Sequence, residues 1–575
     1  MGIHNADVAD AFEEIADLLA IEGENPFRIG AYRRAARIVR SLPKELAELH
    51  GVREYEAIPG IGADLARKIL ELIDTGGLSA LEKLRREVPP ATRELLGLPG
   101  LGPVRVRALM TQLKVRSRED LERAIAAGRL ATVHGFGAGI ESRLRAALAK
   151  PPSARPGRLP LSVAAQYARP LREYLAGVAG VSRVEIAGSY RRGRETVGDL
   201  DVLVCASAAA KPLAALGRYA DLRELSASGT TKASGILRNG LQVDVRVVPQ
   251  RSFGAALHYF TGSKDHNIHT RRLAQERGWK LSEYGLFEGA RPLAGETEEG
   301  VYRALGLAFI PPELREDRGE IEAAAGNALP VLIERSDLKG DLHVHSDASD
   351  GVDPLERMVA AAQAQKLSYV AITDHAKHLG IVHGLDAGRL ARQADAIDAL
   401  NEKLKGFTIL KGAEVDILED GRLALPDAVL ERLDVVVVAV HDHFGLSEAK
   451  QTTRILRALE RPRASVLAHP SGRLIGEREP YACDFGKVFE AVRARGGCVE
   501  VNGQPARLDL TDSLIKAALE RGVRLSLASD AHSADQLANL EGAVRQARRG
   551  WASRQDVLNT RTAAQVRAAL RAGRH

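Results

Sequence analysis

Histidine and acidic side chains recur along the second half of the chain, each beside an apolar run. They lie in the segments DLHVHSDASD, TDHAKH, AEVD, VHDH, AHPS and SDAHS. His343 and His345 are two residues apart on one predicted strand, so both side chains point to the same side, as in a chelating pair. Further ligands are predicted at other strand ends: Asp350, His375, Glu414, His441, His469, Asp530 and His532. Imidazole and carboxylate groups in this pattern predict a multinuclear metal site.

A second acidic cluster lies earlier, in GSYRRGRETVGDLDVLV and LQVDVRVVP. Asp199 and Asp201 are two residues apart on a predicted strand and share one face, and Asp244 can join them from a neighbouring strand. Three carboxylates around one point repel each other unless cations neutralise them, and oxygen ligands favour Mg²⁺ or Mn²⁺. The cluster predicts two-metal phosphoryl transfer.

The segment GSYRRG, just before these aspartates, has residue types that bind phosphate. Gly188 and Ser189 allow close approach, and Arg191 or Arg192 supplies positive charge. A triphosphate fits this combination.

Two kinds of element must position these groups. In the second half, the strands YVAIT, FTILKGAEV, VVVVAV, SVLAHP, CVEVN and RLSLAS alternate with helices, which favours a (β/α) barrel with its ligands at the C-terminal strand ends. In the first half, VSRVEIAG, DLDVLVCA and LQVDVRVVP predict a small mixed sheet, followed by a compact helix and strand unit. Residues 313–336 are predicted to be helical and charged.

The first 150 residues contain three related glycine turns, IPGIGADLARKI, LPGLGPVRVRAL and HGFGAGIESRL. Each predicts a tight turn with exposed backbone N–H groups at the start of a helix, which can hold a phosphate. A single copy is equally explained by close helix packing, but three copies favour binding to a DNA backbone. The candidate contacts are Gly60, Gly62, Gly100, Gly102, Gly135 and Gly137.

Composition narrows the class of protein. A chain of 575 residues with 45% hydrophobic content is too long to fold around one hydrophobic core, so several domains are predicted. The three cysteines share no CxxC spacing, and no secretion signal or long apolar run is present, so a cytoplasmic location is expected. The formal charge of +6 is unevenly spread, with basic clusters in RRAARIVR, PVRVRAL and SYRRGRE that suggest a polyanionic partner.

The ordered set GSYRRG, GDLD, DVRVVP and YFTGS resembles the palm and thumb of family X DNA polymerases. The resemblance implies that Asp199, Asp201 and Asp244 hold two metals, with Asp244 near the primer 3′ hydroxyl. It also implies a nucleotide site: Gly188, Ser189 and Arg192 at the triphosphate, Tyr259, Phe260 and Gly262 beside sugar and base, and Asn267 in the minor groove. Lys264 stands where several members carry Asp.

The glycine turns resemble the helix-hairpin-helix modules of the same family. By that resemblance, Lys68 occupies the position of a lysine that forms a Schiff base with an abasic sugar in some members, and Tyr32 matches the family tyrosine. Arg28 and Asp64 stand where lysines usually bind the 5′ phosphate. Lys68 is therefore either a lyase nucleophile or a plain phosphate contact.

The second half resembles the polymerase and histidinol phosphatase (PHP) domain, a trinuclear phosphoesterase fold. The resemblance implies that zinc, manganese or iron ions are bound, and that metal-activated water attacks a phosphodiester. It assigns the ions to three sets: His343, His345, Glu414 and Asp530; Glu414, His441 and His469; and Asp350, His375 and His532. Glu414 is the bridging ligand.

Together the two halves resemble a bacterial family X DNA polymerase with a C-terminal PHP domain. The expected domains are a lyase-like helical domain (1–85), a helix-hairpin-helix fingers-like domain (86–150), a linker (151–160), palm (161–251), thumb (252–316), a linker (317–336) and a distorted (β/α)7-type PHP barrel (337–575).

The resemblance implies a monomeric, nucleoid-associated enzyme that fills short gaps with deoxynucleoside triphosphates during base-excision or break repair. Its barrel would act as a 3′–5′ exonuclease or 3′-end phosphoesterase. Alternatively, the barrel is a metal-stabilised scaffold or hydrolyses a small phosphate ester. The first half could also be a template-independent nucleotidyltransferase or a DNA-binding module without synthesis.

Overall fold

The computed structural model describes residues 3–42, 44–49, 51–58, 60–98, 100–133, 136–148, 158–376, 383–461 and 464–572. The chain forms two compact units. The first comprises Met1–Gly157 with the short segments Arg218–Glu224 and Ile236–Leu241. The second comprises Arg158–Gly217, Leu225–Gly235 and Gln242–His575.

The first unit is helical. Its first helix, Asn5–Glu22, buries Val8, Phe12, Ile15 and Leu19 at the spacing of one helical face, and Gly23 ends it in a left-handed conformation. The α-helices are Asn5–Glu22, Pro26–Ser41, Val52–Glu56, Ala63–Thr75, Ser79–Glu87, Pro90–Glu94, Pro103–Ala108, Arg118–Ala126 and Ala138–Leu148. Shorter turns lie at Leu46–Glu48, Leu95–Gly97, Leu109–Leu113 and Arg129–Thr132.

A five-stranded sheet follows, with neighbouring strands in the order Val181–Ile186, Asp199–Ala206, Gln242–Val248, Lys232–Leu237 and Leu222–Ser228. Asp199–Ala206 pairs antiparallel with Val181–Ile186 and parallel with Gln242–Val248. The alternate burial of Gln242–Val248 buries its valines and leaves its polar residues on the open face. The accompanying helices are Leu161–Ala176, Gly188–Arg191, Ala210–Leu216 and Gln250–Thr261, and Leu159–Pro160 pairs with Thr196–Val197.

The compact unit after this sheet has helices Lys264–Glu276 and Glu298–Ala304 and the antiparallel strands Lys280–Ser282, Gly285–Glu288 and Arg291–Ala294. The next segment differs from expectation. Between residues 313 and 336 the only described α-helix is Glu320–Ala325, flanked by the 3-10 turns Pro312–Leu314 and Arg335–Asp337. Gly319 at φ 96 and Gly326 bound this helix, and proline and glycine residues keep the rest irregular.

The second half is a nearly closed, seven-stranded parallel barrel, which confirms the predicted fold class. The strands, in spatial and chain order, are Gly340–Val344, Tyr369–Ile372, Thr408–Asp416, Val435–Ala439, Val466–Leu467, Cys498–Asn502 and Arg524–Ala528. A parallel bridge between Val344 and Ala531 brings the last strand back beside the first. The barrel helices are Leu355–Ala364, Ala387–Asn401, Asp427–Leu430, Glu448–Leu459, Phe485–Ala494, Asp512–Glu520, Leu540–Arg549 and Ala563–Ala572, with 3-10 turns at Ala534–Asn539, Arg554–Asp556 and Leu558–Thr560.

Every residue of Val435–Ala439 and Cys498–Asn502 is buried, as parallel strands covered on both faces require. Among the described residues, no helix is long and apolar enough to cross a membrane.

Candidate active sites

The three aspartates of the first acidic cluster lie on two adjacent parallel strands. Asp201 is directly opposite Asp244 in the register of the pair, and Asp199 is two residues earlier on the same strand. Burial, together with the charges of Asp199 and Asp244, raises the pKa of Asp201 to about 6. Carboxylates held this close disfavour each other's charge, which is the condition that bound cations relieve.

Asp244 has its own local partners. Its carboxylate accepts a hydrogen bond from Lys232 Nζ at 3.0 Å and another from the Ser234 hydroxyl. Burial opposes ionisation of Asp244, but these hydrogen bonds outweigh it and lower its pKa. Asp244 is therefore held charged and oriented from the neighbouring strand Lys232–Leu237.

The turn that begins at Gly188 packs directly on the aspartates. Gly188 has φ 62, and a Cβ there would lie 2.8 Å from Asp201 Oδ2, so a side chain would disturb the cluster. Arg191 uses its terminal nitrogens on Thr261 Oγ1 (2.9 Å) and on Glu298 (2.7 and 2.8 Å). Arg192 donates through Nε and Nη1 and has no partner for Nη2 among the described residues, so Arg192 is the arginine with a donor left for a ligand.

The segment predicted to lie beside the sugar and base of the nucleotide, residues 259–267, contacts this turn. Arg192 Nη1 donates to the Thr261 carbonyl at 2.7 Å, which joins the turn to the end of the helix Gln250–Thr261. Asn267 Nδ2 donates to the carbonyls of Tyr259 (2.6 Å) and Gly262 (3.2 Å). The Tyr259 and Phe260 rings meet edge to face, with centroids 5.0 Å apart.

Lys264 lies apart from these contacts, exposed at the first position of Lys264–Glu276.

In the barrel, all nine predicted ligands come together. Glu414 is 1% exposed and its oxygens lie 3.0–3.5 Å from nitrogens of five histidines: His343, His345, His375, His441 and His469. Asp530 lies 3.3 Å from His345, and His532 lies 3.4 Å from Asp350. Burial opposes ionisation of Glu414, but the surrounding histidines outweigh it and hold its pKa well below its usual range.

The ligand atoms group into three clusters that could each hold an ion. The clusters are His345, Asp350, His375 and His532; His343, His345 and Asp530; and His375, Glu414 and His441. The grouping differs from the predicted sets because His345 and His375 each lie between two clusters. His469 joins through Glu414 Oε1 at 3.0 Å. His443, by contrast, is an exposed loop histidine paired with Asp442.

The donor set fits bound metals. The buried nitrogens His343 Nε2, His345 Nδ1 and Nε2, and His469 Nδ1 have no hydrogen-bond partner among the described residues, which is costly unless another group binds them. Two ligands also adopt left-handed backbone conformations, with φ 27 at His469 and φ 51 at Asp530. Such strain at non-glycine residues concentrates at functional sites.

The three glycine turns share one feature among the residues that the structure describes. A hydrogen bond closes each turn, from Ile61 N to Ile58 O and from Leu101 N to Leu98 O (3.0 Å each), and from Phe136 N to Val133 O (3.2 Å). Gly60 and Gly100 have φ 87 and 88, while Gly62 and Gly102 precede helices without a side-chain cap. Gly137 O accepts the first bonds of the third helix, and Gly135 lies outside the described residues.

Lys68 lies on the helix after the first turn, on the side of Tyr32. Its Nζ pairs with Asp64, one helical turn earlier, and lies 5.9 Å from the centre of the Tyr32 ring. Arg28 pairs with Glu24. The amine at the predicted nucleophile position is therefore engaged in an ion pair.

Comparison with known families agrees with this geometry. Residues 3–78 match a helix-hairpin-helix domain, and residues 92–150 match a SAM-like helix-hairpin-helix tandem. Residues 158–273 match the DNA polymerase beta palm, residues 256–316 the DNA polymerase beta thumb, and residues 341–524 the PHP domain.

One relative covers the whole chain. The DNA polymerase/3′-5′ exonuclease PolX of Bacillus subtilis (strain 168) is 38% identical over 573 residues, which are 99% of this chain and 100% of the relative. The chain belongs to the PolX family. The chain is also similar to a probable phosphatase of Thermoanaerobacter sp. (strain X514), which is 29% identical over 232 residues, 38% of this chain and 89% of the relative. A probable phosphatase of Syntrophotalea carbinolica is 31% identical over 36% of this chain and 84% of the relative.

Two acids beside the predicted barrel ligands of this PolX-family chain, Glu500 and Asp416, were not predicted from the sequence. Glu500 Oε2 lies 2.7 Å from His343 Nδ1, and Asp416 Oδ1 lies 2.6 Å from His441 Nδ1. Each carboxylate fixes its ring so that Nε2 faces the cluster. In the sequence, both acids look like ordinary residues of a strand. Only their place on strands of the ligand-bearing barrel could have indicated that they orient ligand histidines.

Arg507 is a further missed residue. Its Nε is buried without a hydrogen bond among the described residues, and its nearest acid is the ligand Asp530, with Nε 3.8 Å from Oδ2. Its guanidinium therefore lies beside the ligand cluster, and its Nε donor is unused among the described residues.

Proposed function

We propose that this protein is a DNA-directed DNA polymerase that fills short gaps during DNA repair, and that its barrel removes nucleotides from 3′ ends. The observation that carries the polymerase half is the pairing of Asp201 opposite Asp244, beside a turn with a free arginine donor. The matches to the polymerase beta palm and thumb and to PolX of Bacillus subtilis, named as a polymerase and 3′-5′ exonuclease, support it.

In the polymerase site, Asp199, Asp201 and Asp244 would hold Mg²⁺ or Mn²⁺, which when bound neutralise the charge that develops during phosphoryl transfer. Asp244, oriented by Lys232, would lie near the primer 3′ hydroxyl. Gly188, Ser189 and Arg192 would bind the incoming triphosphate.

The thumb segment would complete the nucleotide site. Tyr259, Phe260 and Gly262 would line the sugar and base, with Lys264 at the edge, and Asn267 would contact the minor groove. The hydrogen bonds from Asn267 to the carbonyls of Tyr259 and Gly262 hold the conformation of this segment before a nucleotide binds.

In the barrel, the nine ligands would hold three ions of zinc, manganese or iron, which when bound activate water for attack on a phosphodiester. Glu500 and Asp416 orient two of the ligand histidines. Arg507 would donate to a non-bridging oxygen of the scissile phosphate, because its Nε makes no hydrogen bond to the described residues and Asp530, its nearest acid, lies 3.8 Å away. Replacement by Ala is expected to raise KM for DNA ends and to leave the metal content unchanged.

The glycine turns would bind DNA backbone on both sides of a gap through the N–H groups of Gly60, Gly62, Gly100, Gly102 and the turn that includes Gly135 and Gly137. We propose that Lys68 contacts a DNA phosphate, since its Nζ already forms an ion pair with the carboxylate of Asp64. Abasic-site lyase activity stays a prediction for Lys68. The protein would act as a monomer on the nucleoid.

The test uses a 5′-labelled primer on a one-nucleotide-gapped duplex, with and without nucleotides, in Mg²⁺ or Mn²⁺. The Asp199→Ala, Asp201→Ala double variant should lose extension alone, and His343→Ala should lose shortening alone. Matched controls are Glu288→Ala and His383→Ala, both exposed positions outside the two sites. Extension that survives the first change, or shortening that survives the second, would overturn the assignment.

A second function for the barrel is hydrolysis of small phosphate esters. The similarity of part of this chain to probable phosphatases, over most of the length of those relatives, favours testing it. Competition between labelled DNA ends and a free phosphate monoester separates the two. We expect the DNA to be the preferred substrate by kcat/KM, and preference for the monoester would assign the barrel to small esters.

A further inference from the structure

The turn that follows the triphosphate motif packs against the barrel. The Arg192 carbonyl accepts a hydrogen bond from Arg549 Nη1 at 2.8 Å. Gly193, at φ 68, lies so close to the helix Leu540–Arg549 that a Cβ would be 2.7 Å from the side chain of Arg545. Glu195 accepts from both terminal nitrogens of Arg473 at 2.9 Å. The triphosphate turn is thus shaped by barrel residues.

The side chain of Arg192 is fixed by the same contacts. Its Nε donates to Glu316 Oε1 at 3.0 Å, and Arg549 Nη1 donates to that same oxygen at 3.2 Å. Arg549 therefore holds both the backbone carbonyl of Arg192 and the carboxylate that orients its guanidinium. Charge-assisted bonds of this kind are short and directional.

Arg549 is itself anchored in the barrel. It is 4% exposed, its Nη2 pairs with Asp512, and Asp512 also pairs with Arg318 at 3.0 Å. Near Arg192, positive charge is in excess because Arg194 Nη1 also lies 3.5 Å from Glu316. Three arginines share one carboxylate, so an anion at the free Nη2 of Arg192 would be stabilised.

We infer that Arg549 of the barrel is a positioning residue for nucleotide binding, holding Arg192 through its carbonyl and through Glu316 in the orientation that binds the triphosphate. The polymerase nucleotide site is then incomplete without the barrel, whatever the barrel hydrolyses. The inference rests on the proposed polymerase function, and the barrel ligands take no part in it.

The test measures single-nucleotide gap filling by the full-length protein over a range of nucleotide concentrations. Arg549→Ala is expected to raise KM for the nucleotide about tenfold, as loss of one charge-assisted contact network predicts, while kcat and 3′-end shortening change less than about twofold. Arg549→Lys should recover part of the loss, because a lysine can make one of the two bonds. The matched control is Arg548→Ala on the same helix, whose arginine binds Glu313 and the Ile333 carbonyl instead.

An unchanged KM in Arg549→Ala, or an equal rise in Arg548→Ala, would overturn the inference. If the unfolding midpoint shows that Arg549→Ala does not fold, Glu316→Gln is measured instead. It is expected to raise KM for the nucleotide in the same way, and an unchanged KM in Glu316→Gln would overturn the inference. A wild-type protein that adds no nucleotide refutes the proposed function itself, and the inference with it.

Discussion

Glu500 and His343 form a buried pair across two barrel strands, with Glu500 Oε2 2.7 Å from Nδ1 of the ring. Both residues are at most 1% exposed. The pair leaves Nε2 of His343 facing Glu414 and Asp530. A carboxylate behind a ligand histidine fixes its orientation and raises its basicity, so Glu500 would contribute to metal affinity without touching a metal.

Replacing Glu500 by Gln should therefore lower metal affinity of the barrel and 3′-end shortening by about 10- to 100-fold, and leave gap filling unchanged. Metal content after dialysis and labelled-end assays measure both effects. Glu520→Gln, an exposed acid on a barrel helix, is the matched control. Full metal occupancy in Glu500→Gln would show that the pair is only structural.

Asp201→Asn should stabilise the metal-free protein while abolishing extension. The pKa of Asp201 is raised from 3.8 to about 6, so its charge opposes folding above pH 6, and this cost disappears as pH falls through 6 towards 3.8. Removing the charge should add about 2 kcal/mol of stability to this region at pH 7. The check is the unfolding midpoint of wild type and variant in EDTA at pH 7 and pH 5, and an equal or lower midpoint for the variant at pH 7 would contradict the expectation.

How much of the fold and of the candidate sites could be predicted depended on how far apart in the sequence the interacting residues lie. The meeting of the predicted barrel ligands could be anticipated because each lies in an apolar strand or after one, and the ends of parallel strands meet at one edge. The grouping of His345 and His375 between two clusters was not, since it is set by ring orientation in three dimensions.

Lys232 was missed for a different reason. The strand Leu222–Ser228 is almost wholly exposed, and its apolar residues do not alternate regularly with polar ones. No pattern in the sequence therefore indicated this strand or its pairing with Lys232–Leu237.

Glu500 and Arg549 were missed because their partners are far along the chain. Glu500 lies 157 residues from His343, and Arg549 lies 357 residues from Arg192. In its local sequence, Glu500 is an acid in a strand with an alternating pattern, and Arg549 is a basic residue on an amphipathic helix. Neither pattern distinguishes a functional residue from an ordinary strand or surface residue.

The pairing of Lys68 with Asp64 predicts the outcome of borohydride trapping on an abasic-site substrate. Wild type should give little adduct, because Lys68 Nζ is held in an ion pair with Asp64 and must leave it to attack the sugar. Lys68→Ala should weaken DNA binding modestly, by about 1 kcal/mol, in a salt-dependent way. Efficient trapping by wild type that is lost in Lys68→Ala would instead assign the lyase activity to Lys68.

The N-terminal unit should carry a pH-dependent anchor at His4. The ring lies 3.2 Å from Asp221 and 3.8 Å from Glu45, and although burial opposes its charge, these acids raise its pKa to about 9. A raised histidine pKa gives stability that is complete below pH 6.5 and is lost as pH rises through about 9. His4→Gln should therefore cost about 2 kcal/mol at pH 6 and little at pH 10.

Hydrogen exchange of the helix Asn5–Glu22 measures this anchor, with variant and wild type compared at each pH so that the intrinsic exchange rate cancels. Asp221→Asn should reproduce the effect, and combining both changes should cost less than their sum, because one interaction is removed twice. Equal protection of wild type and His4→Gln at pH 6 would mean that His4 is neutral in the folded protein and that its contacts with Asp221 and Glu45 do not hold the helix.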